Sequence, residues 1–224
     1  MNKREFKNNV YTELSKVAKA MANPVRLEII DLLAQGSFSV EQIATNTGQS
    51  IANTSQHLQT LKNARLVKIE RNGNFIHYSL AGENVFQTWA GLRNLGLIYN
   101  TEVEKIIHDF REGHNSGMDA IDLETLEELL KKDEIVLLDV RPEAEYNRGH
   151  IYKALSAPIE NLEERLKYLS KTKTVVAYCR GPFCVYADEA VALLKKHGYV
   201  AKRMDEGFPE WMSKGYPVSR SNPE

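Results

Sequence analysis

Cysteine is scarce in this chain of 224 residues, which contains two, and long apolar runs are missing. No apolar stretch approaches the roughly 20 residues of a membrane-spanning helix, and the charged N-terminus is not followed by the apolar core of a signal peptide. Two cysteines and six scattered histidines are too few for a zinc site or an extracellular disulfide framework. We therefore expect a cytoplasmic protein without a membrane span, a bound metal or a cofactor.

A strong charge of one sign is also lacking, because the formal net charge is −1. Residues 1–80 nevertheless hold ten Lys and Arg against six Asp and Glu. A modestly basic first part is compatible with nucleic-acid binding, although an excess of this size is also common on solvated surfaces. The length and the 42% hydrophobic content fit two small globular domains.

Both cysteines lie in one six-residue segment, which reads Cys179, Arg180, Gly181, Pro182, Phe183 and Cys184. An apolar run at 174–178 precedes it and a helical pattern follows it, so Cys179 marks the point where a strand turns into a helix. Loop amides and the first turn of a helix favour an anion there, and a cysteine in such a place commonly has a pKa of roughly 3.5 to 7.5. The plainer interpretation of Cys179 is a small buried apolar residue.

The surroundings of this segment resemble a rhodanese domain over about 118–218. The resemblance rests on Asp-Val-Arg-Pro at 139–142, Gly-His-Ile at 149–151 and Gly-Phe-Pro-Glu-Trp at 207–211. It implies an α/β domain with a parallel sheet and a nucleophilic cysteine, matched by Cys179, that carries sulfane sulfur as a persulfide. The backbone N–H groups of the active loop would form a ring around the persulfide anion. Pro182 contributes no N–H group to this ring.

Four more side chains receive roles from this resemblance. Arg180 matches the arginine that often follows the catalytic cysteine, and it either attracts anionic sulfur donors or is a solvated charge. Asp139 and Arg141 are expected to form a buried structural pair near the loop. Cys184 replaces the small hydroxyl residue or arginine usual at the last loop position. It either attacks the sulfur on Cys179, giving a disulfide or polysulfide, or is a serine-like residue in the first helical turn.

The first half of the chain predicts two short helices across a glycine turn, followed by a β-hairpin. One helix begins with the N-cap and proline pair at 23–24, the next with a capping box at 39–42, and a third covers about 50–63. Two strand-like segments then flank Asn-Gly-Asn at 72–74, a strong hairpin signal. This order predicts a winged helix-turn-helix.

This half resembles the ArsR family of bacterial repressors over about 8–85, for instance in Ala-Asn-Pro-Val-Arg-Leu at 22–27. The resemblance implies a homodimer on double-stranded operator DNA. Arg65 stands where the family commonly has glycine, so the helix end needs another cap or a left-handed arginine. Segment 37–41 has no thiol, so we do not expect metal sensing by that route. His57 is alternatively a core residue. The candidate DNA-contacting residues are Gln49, Ser50, Asn53, Thr54, Gln56, His57, Arg71 and Asn74.

Apolar positions recur every three to four residues from Val85 to Phe110, which indicates a dimerisation helix or a helix packed on its own domain. Thr101 with Glu104 offers a second capping box that would split it. We predict an α+β winged helix-turn-helix domain for DNA binding and dimerisation at 1–111, a linker at 112–117, and an α/β rhodanese-like domain at 118–224.

These features predict a DNA-binding transcriptional regulator whose second domain handles sulfane sulfur. Persulfidation of Cys179, or a bond between Cys179 and Cys184, would change its operator affinity. The expected donors are thiosulfate, polysulfide or a low-molecular-weight persulfide. One alternative is an active sulfurtransferase whose DNA-binding half controls its placement or expression, and another is an inert rhodanese domain that engages a partner.

Overall fold

The chain divides into two compact units, Met1–Gly96 and Leu97–Glu224. The structure is a computed structural model that describes residues 1–72, 75–113 and 120–221. The division groups the helix Thr101–Gly113 with the second unit, whereas the sequence prediction assigns it to the first domain. Residues 114–117 of the predicted linker lie outside the described residues.

The first unit consists of helices and a small antiparallel sheet in which β3 lies between β1 and β2. As predicted, Asn23 caps the second helix, Pro24 lies in its first turn, and Ser39 forms the capping box of the third. The long first helix, Lys3–Met21, was not predicted from the sequence. The elements are α1 (Lys3–Met21), α2 (Pro24–Leu33), β1 (Phe38–Ser39), α3 (Val40–Asn46), α4 (Ile51–Asn63), β2 (Val67–Asn72), β3 (Phe75–Leu80) and α5 (Glu83–Tyr99).

The core of this unit lies where α2, α4 and α5 pack together. Ile30 and Leu58 have no exposed surface, and Trp89 is 6% exposed. Complete burial of one such aliphatic side chain contributes about 1.5–3 kcal/mol. After α4, Arg65 has φ 59°, so this helix ends on a left-handed arginine. That conformation costs an L-residue about 1–2 kcal/mol.

The second unit contains a parallel five-stranded sheet with the order β4-β9-β8-β5-β7. The central strands β5 and β8 are almost fully buried, as strands covered on both faces should be. A short antiparallel pair joins β6 to β10. The elements are α6 (Thr101–Gly113), β4 (Ala120–Ile121), α7 (Leu123–Lys131), β5 (Ile135–Asp139), α8 (Glu143–Arg148), β6 (His150–Ile151), β7 (Leu155–Ser156), a 3-10 turn (Ile159–Asn161), α9 (Leu162–Arg165), a second 3-10 turn (Leu166–Tyr168), β8 (Thr174–Tyr178), α10 (Tyr186–Lys196), β9 (Ala201–Met204), α11 (Phe208–Ser213) and β10 (Val218–Ser219).

The apolar segment from Val85 to Phe110 is split into two helices, as the sequence suggests, but the cap differs. Asn100 separates α5 from α6, and its side-chain oxygen accepts a hydrogen bond from the N–H of Glu102 at 3.1 Å. Its carbonyl accepts a further bond from the N–H of Glu104 at 3.3 Å. Asn100 therefore caps the helix, and the prediction of Thr101 as the capping residue is wrong.

Both predicted fold classes are confirmed. The first unit is an α+β winged helix-turn-helix, in which α3 and α4 are followed by the β2–β3 hairpin. The second is an α/β domain with a parallel sheet. In a sheet of this kind, ligands commonly bind beyond the carboxyl ends of the strands, and Cys179 directly follows β8.

Candidate functional site

The cysteine loop starts at the carboxyl end of β8, where Cys179 is 2% exposed. Cys179 and Cys184 are joined by a disulfide, with their Cα atoms 6.2 Å apart. The N–H of Cys184 donates to the carbonyl of Gly181 at 3.0 Å, and the N–H of Phe208 donates to the carbonyl of Cys179 at 3.2 Å. The Cys184 amide, one of those assigned to the persulfide anion, is therefore engaged inside the loop in this disulfide form.

Arg180 is held by a carboxylate from a different element. Its Nε lies 3.1 Å from both carboxylate oxygens of Glu145 on α8, and its Nη2 binds the same carboxylate. The Glu145 side chain is only 3% exposed and that of Arg180 17%. A guanidinium paired in this way is largely compensated, so its attraction for a second anion is weak. Glu145 had no predicted role, because the pair spans 35 positions in sequence.

A buried polar cluster includes Tyr178, the residue that directly precedes the loop. The carboxylate of Asp139 accepts from Arg141 Nη2 at 2.6 Å and from the Tyr178 hydroxyl at 2.5 Å. Arg141 also donates to the carbonyl of Gly149 at 2.8 Å. Asp139 and Arg141 have no exposed side-chain surface, so they form the buried pair that the sequence suggests. Burial, followed by the charge of Asp139, raises the pKa of Tyr178 well above its usual value and keeps its hydroxyl protonated.

Gly207 lies against the backbone of the loop. A Cβ built on this glycine would come closer than 3.0 Å to the carbonyl group of Arg180 and to the nitrogen of Gly181. Glycine is therefore required for close approach of the two backbones. The N–H of Gly207 in turn donates to the carboxylate of Glu210 at 2.8 Å, which fixes the start of α11.

Helix α6 also contacts the loop, which the sequence analysis did not foresee. Arg111 Nη2 donates to the carbonyl of Pro182 at 2.9 Å, and its Nε lies 3.6 Å from a carboxylate oxygen of Asp188 on α10. Arg203 lies 3.7 Å from the same oxygen. Burial, followed by the charge of Arg203, lowers the pKa of Arg111. A position separated from the loop by about seventy residues has no local sequence signal for this contact.

The predicted DNA-contacting residues differ in exposure. Ser50 and Gln56 are exposed, and the hydroxyl of Ser50 accepts from the N–H of Asn53 at 3.2 Å as the N-cap of α4. Gln49 and Asn53 are half-buried and joined by a side-chain hydrogen bond of 2.7 Å. Thr54 has no exposed surface, so it belongs to the core and its assignment to the DNA-facing set is corrected.

His57 and the hairpin complete this surface. His57 is half-buried, and burial followed by the charge of Arg26 lowers the pKa of its imidazole, which is therefore neutral at pH 7. Arg71, at the end of β2, is exposed. Asn74 lies outside the described residues.

Within residues 1–72, 75–113 and 120–221, no three His, Cys, Asp or Glu side chains gather to hold a metal ion. None of the helices in the same ranges is both long and apolar enough to span a bilayer.

Comparison with known proteins matches each half of the chain to a different family. The model of the rhodanese-like domain matches residues 122–214, and that of the bacterial regulatory protein, arsR family, matches residues 23–68. The chain is 40% identical over 214 residues to the HTH-type transcriptional regulator Rv0324 of Mycobacterium tuberculosis, covering 94% of this chain and 92% of that protein.

Two further relatives each resemble one half. A sulfurtransferase of Allochromatium vinosum is 31% identical over 103 residues, which are 45% of this chain and 94% of that protein. The homodimeric winged helix-turn-helix DNA-binding domain Mb0332 of Mycobacterium bovis is 38% identical, with a TM-score of 0.42, over 45% of this chain and 91% of that one.

Proposed function

Because the chain belongs to the family of HTH-type transcriptional regulators that join an arsR-family domain to a rhodanese-like domain, we propose that it senses sulfane sulfur through its cysteine loop. The observation that carries this proposal is the position of the chain's two cysteines, both in one loop and close enough to bond. A loop with two thiols has two stable covalent states, which a sensor requires. Such a regulator would act in the reducing cytoplasm, where both thiols start reduced.

The proposed chemistry has two steps. The thiolate of Cys179 attacks the sulfane sulfur of a donor R–S–SH, the donor S–S bond breaks, and R–SH leaves with the proton. Cys179 then carries a persulfide. The Cys184 thiol attacks the inner sulfur of that persulfide, which closes the disulfide and releases hydrosulfide together with the Cys184 proton. Two thiols are oxidised, and one sulfane sulfur is reduced to hydrosulfide.

The contacts of the loop depend on whether its two cysteines are bonded. In the disulfide form, the backbone of the loop contacts Gly207 on one side and, through the Pro182 carbonyl, Arg111 of α6 on the other. Opening the disulfide frees Cys184 and allows the loop to relax, which alters the position of the Pro182 carbonyl. Helix α6 follows α5 of the DNA-binding unit after the single residue Asn100. We propose α6 as the element that transmits the state of the loop.

DNA recognition is assigned to α4 and the β2–β3 hairpin. Gln56 lies on the exposed side of α4 and is suited to bidentate contact with a base edge. Gln49, Ser50, Asn53 and His57 belong to the same end or face of the helix, and Arg71 would contact phosphate. Thr54 is left out of this surface because it is buried.

We also propose that the protein acts as a homodimer. Helix α1 exposes a stripe of large apolar side chains, including Phe6 at 54%, Tyr11 at 68% and Leu14 at 58%. A patch of this kind on a folded protein usually marks an interaction surface. A two-fold dimer would also present two copies of α4 to a palindromic operator.

The test is DNA binding by the full-length protein in its two thiol states. Fluorescence anisotropy with the DNA upstream of its own gene, before and after treatment with inorganic polysulfide, should give affinities that differ by about 5- to 150-fold. Cys184→Ser should remove this difference, because it leaves the Cys179 persulfide without a partner. Equal affinity of the reduced and the disulfide protein would refute the sensor function.

A second candidate is an active sulfurtransferase, favoured by the similarity to the sulfurtransferase of Allochromatium vinosum. Under this alternative, Cys179 passes its sulfur to an external acceptor before Cys184 reacts. Repeated formation of thiocyanate from thiosulfate and cyanide, undiminished in Cys184→Ser and abolished in Cys179→Ser, would favour it. A single turnover that stops at the disulfide would favour the sensor.

A further inference from the structure

An apolar groove lies within the second unit, beside the cysteine loop. Its volume is about 400 Å³, in the size range of small-molecule sites. Helix α6 forms one wall and the loop with the first turn after it forms the other. Six of the side chains that line it are Ile106, Ile107, Phe110, Pro182, Phe183 and Val185.

The groove is adjacent to the loop that carries both cysteines. Phe183 and Val185, which precede and follow Cys184, both line it. Phe183 is 42% exposed, and Ile106 on the opposite wall is 67% exposed, so the groove is accessible from solvent. A molecule that fills the groove therefore lies against the loop whose thiols react.

The charges near the groove are compensated by fixed partners. Arg111 and Asp188 also line the groove and pair with each other, with Nε and Oδ1 3.6 Å apart. Arg180 is held by Glu145. A site for thiosulfate needs a cation that remains available to the ligand. These pairs disfavour an inorganic dianion, whereas the apolar walls favour a neutral organic group.

We propose that the groove binds the apolar organic group of a hydropersulfide R–S–SH, which makes this class the preferred sulfur donor. The inference rests on the proposed function and adds the identity of R. The R group lies between α6 and Phe183 while the thiolate of Cys179 attacks the outer sulfur. The donor S–S bond breaks, the outer sulfur becomes the Cys179 persulfide, and R–SH departs from the groove with the proton.

The experiment compares donors that differ in R. Reduced full-length protein is mixed with benzyl hydropersulfide, glutathione hydropersulfide, thiosulfate or inorganic polysulfide, and intact mass follows closure of the disulfide. Each rate is divided by the rate of the same donor with N-acetylcysteine, which removes intrinsic reactivity. The normalised rate with benzyl hydropersulfide should exceed that with the glutathione compound about tenfold or more.

A pair of variants places this preference in the groove. Ile106→Asn puts an amide into one wall and should lower the ratio of the benzyl rate to the polysulfide rate about tenfold. Val200→Asn is the matched control, since Val200 is an aliphatic residue that is also exposed, at 62%, and does not line the groove. It should keep the wild-type ratio. Phe110→Ala should act like Ile106→Asn, which guards against an effect peculiar to the amide.

Three results would overturn the inference. Normalised rates that do not depend on R would show that the groove does not bind the donor, and they would leave the sensor function intact. A ratio unchanged in both Ile106→Asn and Phe110→Ala, together with a shift of their sedimentation toward monomer, would assign the groove to a second copy of the chain. No disulfide closure with any of the four donors would refute the proposed function and this inference together.

Discussion

Replacing Gly207 by alanine tests whether the backbone packing behind the cysteine loop sets its reactivity. The added Cβ would come closer than 3.0 Å to the Arg180 carbonyl group and the Gly181 nitrogen, which are backbone atoms and cannot rotate away. The contact with the Arg180 oxygen must lengthen from 2.3 Å to at least 3.0 Å, so the loop must retreat by about 0.7 Å or more. Overpacking of this kind costs about 1–3 kcal/mol of unfolding free energy.

The expected effect on chemistry follows from the size of this displacement. A misplacement of about 1 Å in a reacting group can lower a rate about 100-fold, so a displacement of about 0.7 Å corresponds to roughly 25-fold. The assay is the rate at which reduced Gly207→Ala forms the disulfide with inorganic polysulfide, followed by intact mass. Urea unfolding of the same protein measures the loss of stability.

Gly91→Ala is the control, because no heavy atom lies within 4 Å of the Cβ it would add. Gly91 lies inside α5, so this substitution should stabilise the protein by about 0.5–1 kcal/mol and leave the disulfide rate unchanged. A wild-type rate and wild-type stability in Gly207→Ala would refute the argument that Gly207 positions the loop.

Four other substitutions have defined outcomes. Arg65→Gly should raise the unfolding free energy by about 1–2 kcal/mol in urea titrations, because it relieves the left-handed arginine at φ 59°, and an unchanged value would contradict the strain. Glu145→Gln should raise the rate of disulfide formation with thiosulfate relative to the rate with neutral donors, because Arg180 loses its compensating carboxylate. Added salt should suppress this increase. Arg111→Gln should bring the DNA affinities of the reduced and disulfide forms within about twofold of each other, because it removes the contact between α6 and the loop. If the two affinities stay as far apart as in the wild type, α6 does not transmit the state of the loop. Gln56→Ala should weaken specific DNA binding by about 1–3 kcal/mol in anisotropy titrations while non-specific binding persists, and an equal loss on both kinds of DNA would exclude base readout.

Local sequence determined where several helices and strands of this protein begin. The N-caps and the capping box of the first unit depend on residues two to three positions apart, so Asn23 and Ser39 mark helix starts without any tertiary information. The same holds for the apolar run that becomes β8 and for the presence of both thiols in one loop. The curl of that loop, which brings their Cα atoms to 6.2 Å, was not determined by the spacing. The break between α5 and α6 was also predicted, although the capping side chain was assigned one residue too late.

The tertiary structure decided the partners of those residues. From the sequence alone, Arg180 is a cation that could attract an anionic donor. Only the packing of α8 against the loop places Glu145 beside it, where the carboxylate compensates its charge. Thr54 lies in a polar stretch of α4 that suggests a DNA-facing surface, yet the rotation of the helix against its core buries it completely. Arg111 meets the Pro182 carbonyl across 71 positions, and Gly207 is required by a backbone contact rather than by its own turn. Contacts of this kind depend on how distant elements pack, and no periodicity or local motif encodes that packing.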